Sequence, residues 1–533
     1  MKKLFFGGKI LTLESERPYT EAILTDNGRI LMTGTLNGMS AAAGECERVD
    51  LNGSTLIPAF IDSHSHFTQV AYSFLQVSLD GADSVEKMRK KIADFIAERG
   101  IKPGEWINAG DYDNNLLPDA ENPDISEIDA LAPHNKLVVR HKSGHMGLLN
   151  TAALTAVGIN PDTPDPEGGK IGRKGNKLTG YMEENAFFNC LRKIPAYDPN
   201  DLLRACIKAQ DMYASYGITT VQDGMVVDEM LPLYGMALDN DILYLDLVLY
   251  AAPESYDKTV SLIGSYPEGR CRVGGIKIFL DGSPQGRTAW MKTPYLGEPK
   301  GYCGYATLTD AEVTEAMELA AGKNTQLIAH CNGDAAAEQF LRCLETAEAK
   351  YPRLRDLNPV IIHGQLIGKD QLERAARLGA TVSFFAAHVF HWGDVHIKNF
   401  GLERASEISP AFSAKRAGVP FTFHQDAPVI RPDMLETIWC AVNRVTRGGI
   451  KLGTEEAVGV YDALSAVTIN GAVQYGEGNS KGSVRRGKFA DFAVLSNDPL
   501  NCSPESIRDI KVLKTYKAGK EIFGAKERNF DPV

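Results

Sequence analysis

Leu56-Ile57-Pro58-Ala59-Phe60-Ile61-Asp62-Ser63-His64-Ser65-His66 is the stretch on which the fold turns. An apolar run, too short for a helix and rich in branched side chains, ends in two histidines one residue apart. Side chains alternate along a strand, so positions i and i+2 point the same way and both imidazoles can aim at one point. Two nitrogens are half of a tetrahedral metal set. Taken alone, such a pair is more often two loop histidines after a strand, so the remaining residues must decide.

Similar short apolar runs recur downstream at 217–223, 243–250, 276–281, 326–330, 360–363, 381–385 and 420–426. With 56–62 they make eight, and helical stretches such as 310–323 and 369–378 fall between them. Eight strands alternating with helices predict a parallel (β/α)8 barrel of the TIM type. The first connection, about 67–200, is far too long for one helix and predicts an inserted subdomain with elements of its own, including a strand at 136–140. Both ends of the chain read as β. A run at 4–13 is followed by one at 21–33 that turns back on itself at Asp26-Asn27-Gly28 as a hairpin, and runs at 482–484, 487–495 and 512–516 answer them. The expected organisation is a distorted barrel over 56–470 and a small β-sandwich built from 1–55 and 471–533.

Composition narrows the function classes. A chain of 533 residues, 44% hydrophobic and 23% charged, has the balance of an ordinary globular protein. Its net charge of −11 and pI near 5.6 argue against a nucleic-acid partner. No apolar run reaches the length of a membrane span, and Gly7-Gly8-Lys9 cuts the opening apolar segment too short for a signal peptide. Nine scattered cysteines without a Cys-x-x-Cys motif point to reduced thiols and a cytoplasmic location.

The chemistry-bearing residues fall in a pattern. His64 and His66 end the first run, His330 the fifth, His363 the sixth and Asp426 the eighth, all where barrel loops build active sites. Three further N/O ligands converging with the first pair would complete a divalent-metal site. Lys277 is set among Ile276, Ile278, Phe279 and Leu280, where an ammonium is expensive to bury. Two readings stand: a neutral amine that takes up carbon dioxide as a carbamate bridging two metals, or a lysine paired with Asp246 or Asp281. Asp426 is placed to accept a proton from metal-activated water and pass it to a leaving amine.

In this order, His-x-His on strand 1, Lys on 4, His on 5, His on 6 and Asp on 8, the chain resembles the amidohydrolase superfamily. Within it the chain resembles the amidohydrolase-3 group, which includes N-substituted formamide deformylases and exoenzyme regulatory proteins. Gly144-His145 with Asn150, the 276–283 stretch with Arg287, His330 with Gly333-Asp334, Asp426-Ala427-Pro428 and the tail 487–495 with Asp498-Pro499-Leu500 carry the likeness. It implies a barrel holding one or two divalent ions, zinc above others, with Lys277 carboxylated. It also makes His145 the candidate to bind a substrate carbonyl or stabilise an oxyanion. The sequence departs from the pattern at His424-Gln425, which precedes Asp426 where relatives often carry small residues. His363 also lacks the Glu that many relatives carry just before it.

Around this set, Arg140 on a lid-like insert, Asp281 as an orienter of ligands, Arg287 as a carboxylate clamp or loop tie, and His388 in an aromatic mouth are candidates to touch substrate or support the ligands. The expected activity is hydrolysis of a non-peptide C–N bond, amide or formamide-like, of a small molecule by metal-activated hydroxide. A lactone, ester or phosphoester hydrolase at the same site, and a non-catalytic metal-containing regulator, are the alternatives. No nucleic-acid or membrane partner is expected, and a homodimer is left open.

Overall fold

The computed structural model describes residues 2–15, 17–118, 121–141 and 146–524. Eight strands form one sheet in chain order: β1 (Phe60–Ile61), β2 (Ile218–Val226), β3 (Asp246–Ala251), β4 (Cys271–Phe279), β5 (Gln326–Cys331), β6 (Val360–His363), β7 (Thr381–Phe384) and β8 (Phe421–Phe423). Every recorded ladder among them is parallel. This is a TIM-like α/β architecture, and it explains why the runs read as continuous rather than alternating: helices cover the outer face, so both faces are buried. Ile61, Val248, Tyr250, Ile328, Val360 and Ile362 pack into one buried cluster with Ala472 and Tyr475. Among the described residues β8 and β1 share no ladder. Ser63 Oγ donates to the Phe423 carbonyl at 3.0 Å, and His66 N–H to the Ala427 carbonyl at 2.9 Å, joining the two ends.

The opening run does not form one strand. Thr55–Pro58 pairs antiparallel with Phe492–Leu495 in a six-stranded terminal sheet, and only Phe60–Ile61 joins the barrel. Pro58 lacks the N–H that a continuing ladder needs. At Ala59 the chain changes sheets: its N–H goes to the Asp491 carbonyl at 3.0 Å, and that of Phe60 to the Gly217 carbonyl at 2.9 Å. The 4–13 run divides likewise into Lys3–Phe6 and Lys9–Glu14, which lie in different sheets. Gly7 has φ +79°, and a Cβ at Gly8 would stand 2.1 Å from the Ser54 carbonyl oxygen, so the bend requires glycine. The Asn27-Gly28 turn has φ of +47° and +78°, as a two-residue hairpin between twisted strands demands.

Among the described residues, those up to 68 together with 209–524 make one compact unit, and those within 69–208 a second. The second has its own sheet, in the order Gly169–Lys174, Lys177–Glu184, Met146–Leu149, Lys136–His141, Trp106–Tyr112, Val77–Ser78. It also has its own buried clusters, one around Met88, Ile92 and Leu137 and one around Leu149, Met182 and Phe187. No disulfide joins any of the nine cysteines. Among the described residues no helix is long and apolar enough to cross a membrane.

Candidate metal centre

Strand periodicity carries the centre. His64 and His66, just past β1, bring Nε2 to 3.3 and 3.2 Å from the same oxygen, Oδ1 of Asp426. One ligand atom from each of the three lies within 4.8 Å of the others. His363, at the end of β6, faces the other carboxylate oxygen at 3.9 Å. His330, on β5, packs its ring 4.5 Å from that of His363. His363 and Asp426 have φ of +74° and +54°, a left-handed backbone that costs about 1–3 kcal/mol per non-glycine residue and persists only where surrounding contacts enforce it.

The hydrogen bonds around the site fix where its protons sit. Gln222, on β2, donates its amide to the Ser63 carbonyl at 2.9 Å and to Tyr475 Oη at 3.1 Å, which turns its Oε1 toward His64 Nδ1 at 2.5 Å. His64 therefore carries its proton on Nδ1. Burial, with Lys277 nearby, pushes its pKa down to about 3, so the ring is neutral. Nε2 then presents a lone pair to Asp426 Oδ1, which has no hydrogen-bond donor. Two acceptors 3.3 Å apart repel unless a cation lies between them.

Lys277 is fully buried, and Nζ has no hydrogen-bond partner. Burial pushes its pKa down to about 7, with Asp426 opposing. The carboxylate-paired alternative fails on geometry. Asp246 is taken by Lys517 at 2.6 Å and Lys481 at 2.5 Å. Asp281 accepts the N–H groups of Trp290, Asn332 and Gly333 at 3.0, 2.9 and 2.7 Å and lies 3.1 Å from His330 Nδ1. Filled by backbone donors, Asp281 holds His330 with its proton on Nδ1 and the lone pair on Nε2. Asn332 Nδ2 approaches that nitrogen at 3.2 Å.

The other candidates are placed differently. Arg287 bonds Glu298 and, at 2.9 Å, Asn399 Oδ1, which ties down the loop after β4. His388 opens a helix, His388–Phe400. Its Nδ1 lies 3.1 Å from His396 Nε2, and its ring meets Phe385 edge-on and lies tilted against Trp392. Arg140 is exposed on the strand Lys136–His141 of the second unit. His145 falls outside the described residues. Sequence reasoning gave no role to Gln222, Asp223, Ser383 or Asn332. Asp223 accepts the Thr68 N–H at 2.9 Å and a hydrogen bond from Tyr234, anchoring the chain just after His66. Gln222-Asp223 stood at the end of a predicted strand, and that position was the available signal.

Gly224 tests the arrangement. A Cβ there would stand 2.7 Å from Cε1 of His64 and 3.0 Å from Gln222 Oε1. Gly224→Ala is expected to displace the His64 ring and lower divalent-metal affinity by about tenfold or more, with the circular dichroism spectrum retained. Metal titration followed by calorimetry reads this, and unchanged affinity would separate His64 from the metal site.

A family model described as the amidohydrolase family matches residues 47–523. YtcJ of Bacillus subtilis, which bears an amidohydrolase name, is 28% identical, with 98% of this chain and 99% of that protein covered. The N-substituted formamide deformylase of Arthrobacter pascens is 29% identical, with 97% of each covered. A solved structure titled an uncharacterized metal-dependent hydrolase, from Pyrococcus horikoshii, superposes with a TM-score of 0.78 at 24% identity, covering 95% of this chain and 99% of that one; this likeness concerns the fold.

Proposed function

The chain belongs to the amidohydrolase family, and from that premise we propose that it is a metal-dependent hydrolase cleaving a non-peptide C–N bond of a small amide or formamide. The observation that carries the reading is the pair of facing acceptors, His64 Nε2 and Asp426 Oδ1, with the unpartnered Lys277 amine buried nearby. His64, His66 and Asp426 would hold one divalent ion, zinc suiting the N/O donor set. His330, His363 and a carboxylated Lys277 would serve a second. A bound cation would acidify water and polarise a carbonyl at this place.

The chain's own residues supply the rest. Asp426 takes the proton of the attacking water on a carboxylate oxygen and delivers it to the departing nitrogen, since an amine leaves far more easily than an amide anion. Gln222 and Asp281 keep His64 and His330 in the tautomer that offers Nε2. Phe385, buried with its ring 6.3 Å from that of His363 and edge-on to the half-buried Trp392, would limit water beside the centre. The formamide deformylase relative supports C–N chemistry as the first class to test.

The experiment is metal analysis beside a panel of formamides, N-acyl amino acids, small cyclic amides and lactones, run before and after chelation. Turnover of a formamide or amide, lost on chelation and restored by zinc, is expected. A fully metallated protein that turns over lactones alone would move the assignment to C–O bonds. A protein that takes up no divalent metal would remove the site reading itself.

A further inference from the structure

His424, on the turn after β8 and two residues before Asp426, is fully buried and has no place in the ligand set above. Its Nε2 lies 3.1 Å from Nδ1 of His363, and its own Nδ1 lies 2.8 Å from Ser383 Oγ. Ser383 Oγ is 3.0 Å from Ser63 Oγ, which is in turn 3.0 Å from the Phe423 carbonyl oxygen. Four side chains from the ends of β1, β6, β7 and β8 thus form one buried hydrogen-bonded chain.

Its far end dictates its direction. A carbonyl only accepts, so the Ser63 hydroxyl donates to Phe423. With that proton spent, Ser63 accepts from Ser383, and Ser383 accepts from the Nδ1–H of His424. The lone pair of a neutral His424 then stands on Nε2 and accepts from the Nδ1–H of His363. That leaves the free lone pair of His363 on Nε2, the nitrogen turned to Asp426. The opposite order would put two oxygen acceptors 3.0 Å apart, at Ser63 and Phe423, with no proton between them.

The geometry points to His424 as a positioning residue: through Ser383 and Ser63 it takes its polarity from the Phe423 carbonyl, and it fixes the tautomer and ring plane of His363 so that Nε2 faces the metal. This rests on the reading of His363 as a ligand. Where a carboxylate or backbone carbonyl commonly receives the second N–H of a ligand histidine, this chain uses a neutral imidazole held by two hydroxyls. The left-handed backbone of His363, at φ +74°, gives that grip a purpose, since a strained residue returns to easier conformations when its side chain is released. A small residue at 424 would leave Nδ1 of His363 without this acceptor.

Cobalt(II) titration of the metal-free protein tests the assignment by affinity and by the visible absorption of the bound ion. His424→Phe fills the space but accepts nothing, and is expected to bind cobalt about 10- to 100-fold more weakly with an altered spectrum. His424→Gln places an amide oxygen near the position of Nε2 and should recover affinity to within about threefold of the parent. Ser383→Ala, which touches neither histidine ligand nor metal, should weaken binding less and in the same direction, and it serves where His424→Phe fails to fold by its melting curve. Unchanged affinity and spectrum in folded His424→Phe, or a Gln variant no better than Phe, would overturn the proposal while the metal-site reading stands. A parent protein that takes up no cobalt would overturn both.

Discussion

Asp426→Asn is expected to lower kcat/KM on an amide substrate by about 10²- to 10⁴-fold, the scale of a lost general acid–base group. The substitution keeps shape and removes one charge at a point where geometry is crowded. Oδ1 lies 3.3 and 3.2 Å from Nε2 of His64 and His66, and Oδ2 lies 3.9 Å from that of His363. An amide nitrogen placed there can donate to a histidine lone pair, so the metal-free variant should fold and melt at or above the parent temperature. Leaving groups separate proton delivery from metal holding. An amide nitrogen must be protonated to depart, whereas a nitrophenolate leaves unaided. If Asp426 carries the proton, the variant loses far more on the amide than on a nitrophenyl ester at equal metal content. Equal losses on the two substrates would reduce Asp426 to a metal ligand.

The barrel was legible because its strands are covered on both faces and so read as unbroken apolar runs, each ending in a turn. The meeting of His64, His66 and Asp426 was legible for a related reason: strand ends in a parallel sheet point to one rim, and a period of two puts both histidines on one side. What escaped depends on contacts between strands. Nothing local marks 56–62 as shared between two sheets, since Leu56 and Ile57 are as apolar as Phe60 and Ile61; only the pairing with Phe492–Leu495 divides them. The engagement of Arg287 by Glu298 joins two positions in an aperiodic loop, so a free clamp looked equally reasonable. Whether Lys277 had a carboxylate partner was undecidable until Asp246 was seen held by Lys481 and Lys517. Gln222, Ser383 and His424 each belong to a different strand or the turn that follows it, and their joint action on His64 and His363 has no counterpart in spacing along the chain.

Lys277→Met should make the metal-free protein more stable and the enzyme far slower. Met fills nearly the same volume and needs no partner, whereas the lysine amine is fully buried with none. Burial pushes the lysine to about 7 from an ordinary 10.5. Between those values the unfolded chain holds a proton that the folded chain does not, so folding of the parent is opposed more strongly as pH falls through that window. Below about pH 7 the penalty is complete and constant, and above about 10.5 it vanishes, because both states are then neutral. Chemical denaturation of chelated, bicarbonate-free protein should therefore show Lys277→Met ahead by a few kcal/mol at pH 6 to 7. The gap should close as pH rises toward 10.5. Turnover should fall by about 10²- to 10³-fold, the scale of removing one preorganised charge-stabilising group. A variant no more stable than the parent at pH 6 would mean that the amine is solvated or paired after all. One that is more stable yet fully active would remove Lys277 from the metal centre and leave His64, His66 and Asp426 to act with a single ion. Stability and activity moving in opposite directions at one residue is the signature of a group kept for its chemistry, because an unpartnered amine in a sealed interior contributes nothing to folding that a thioether would not do better.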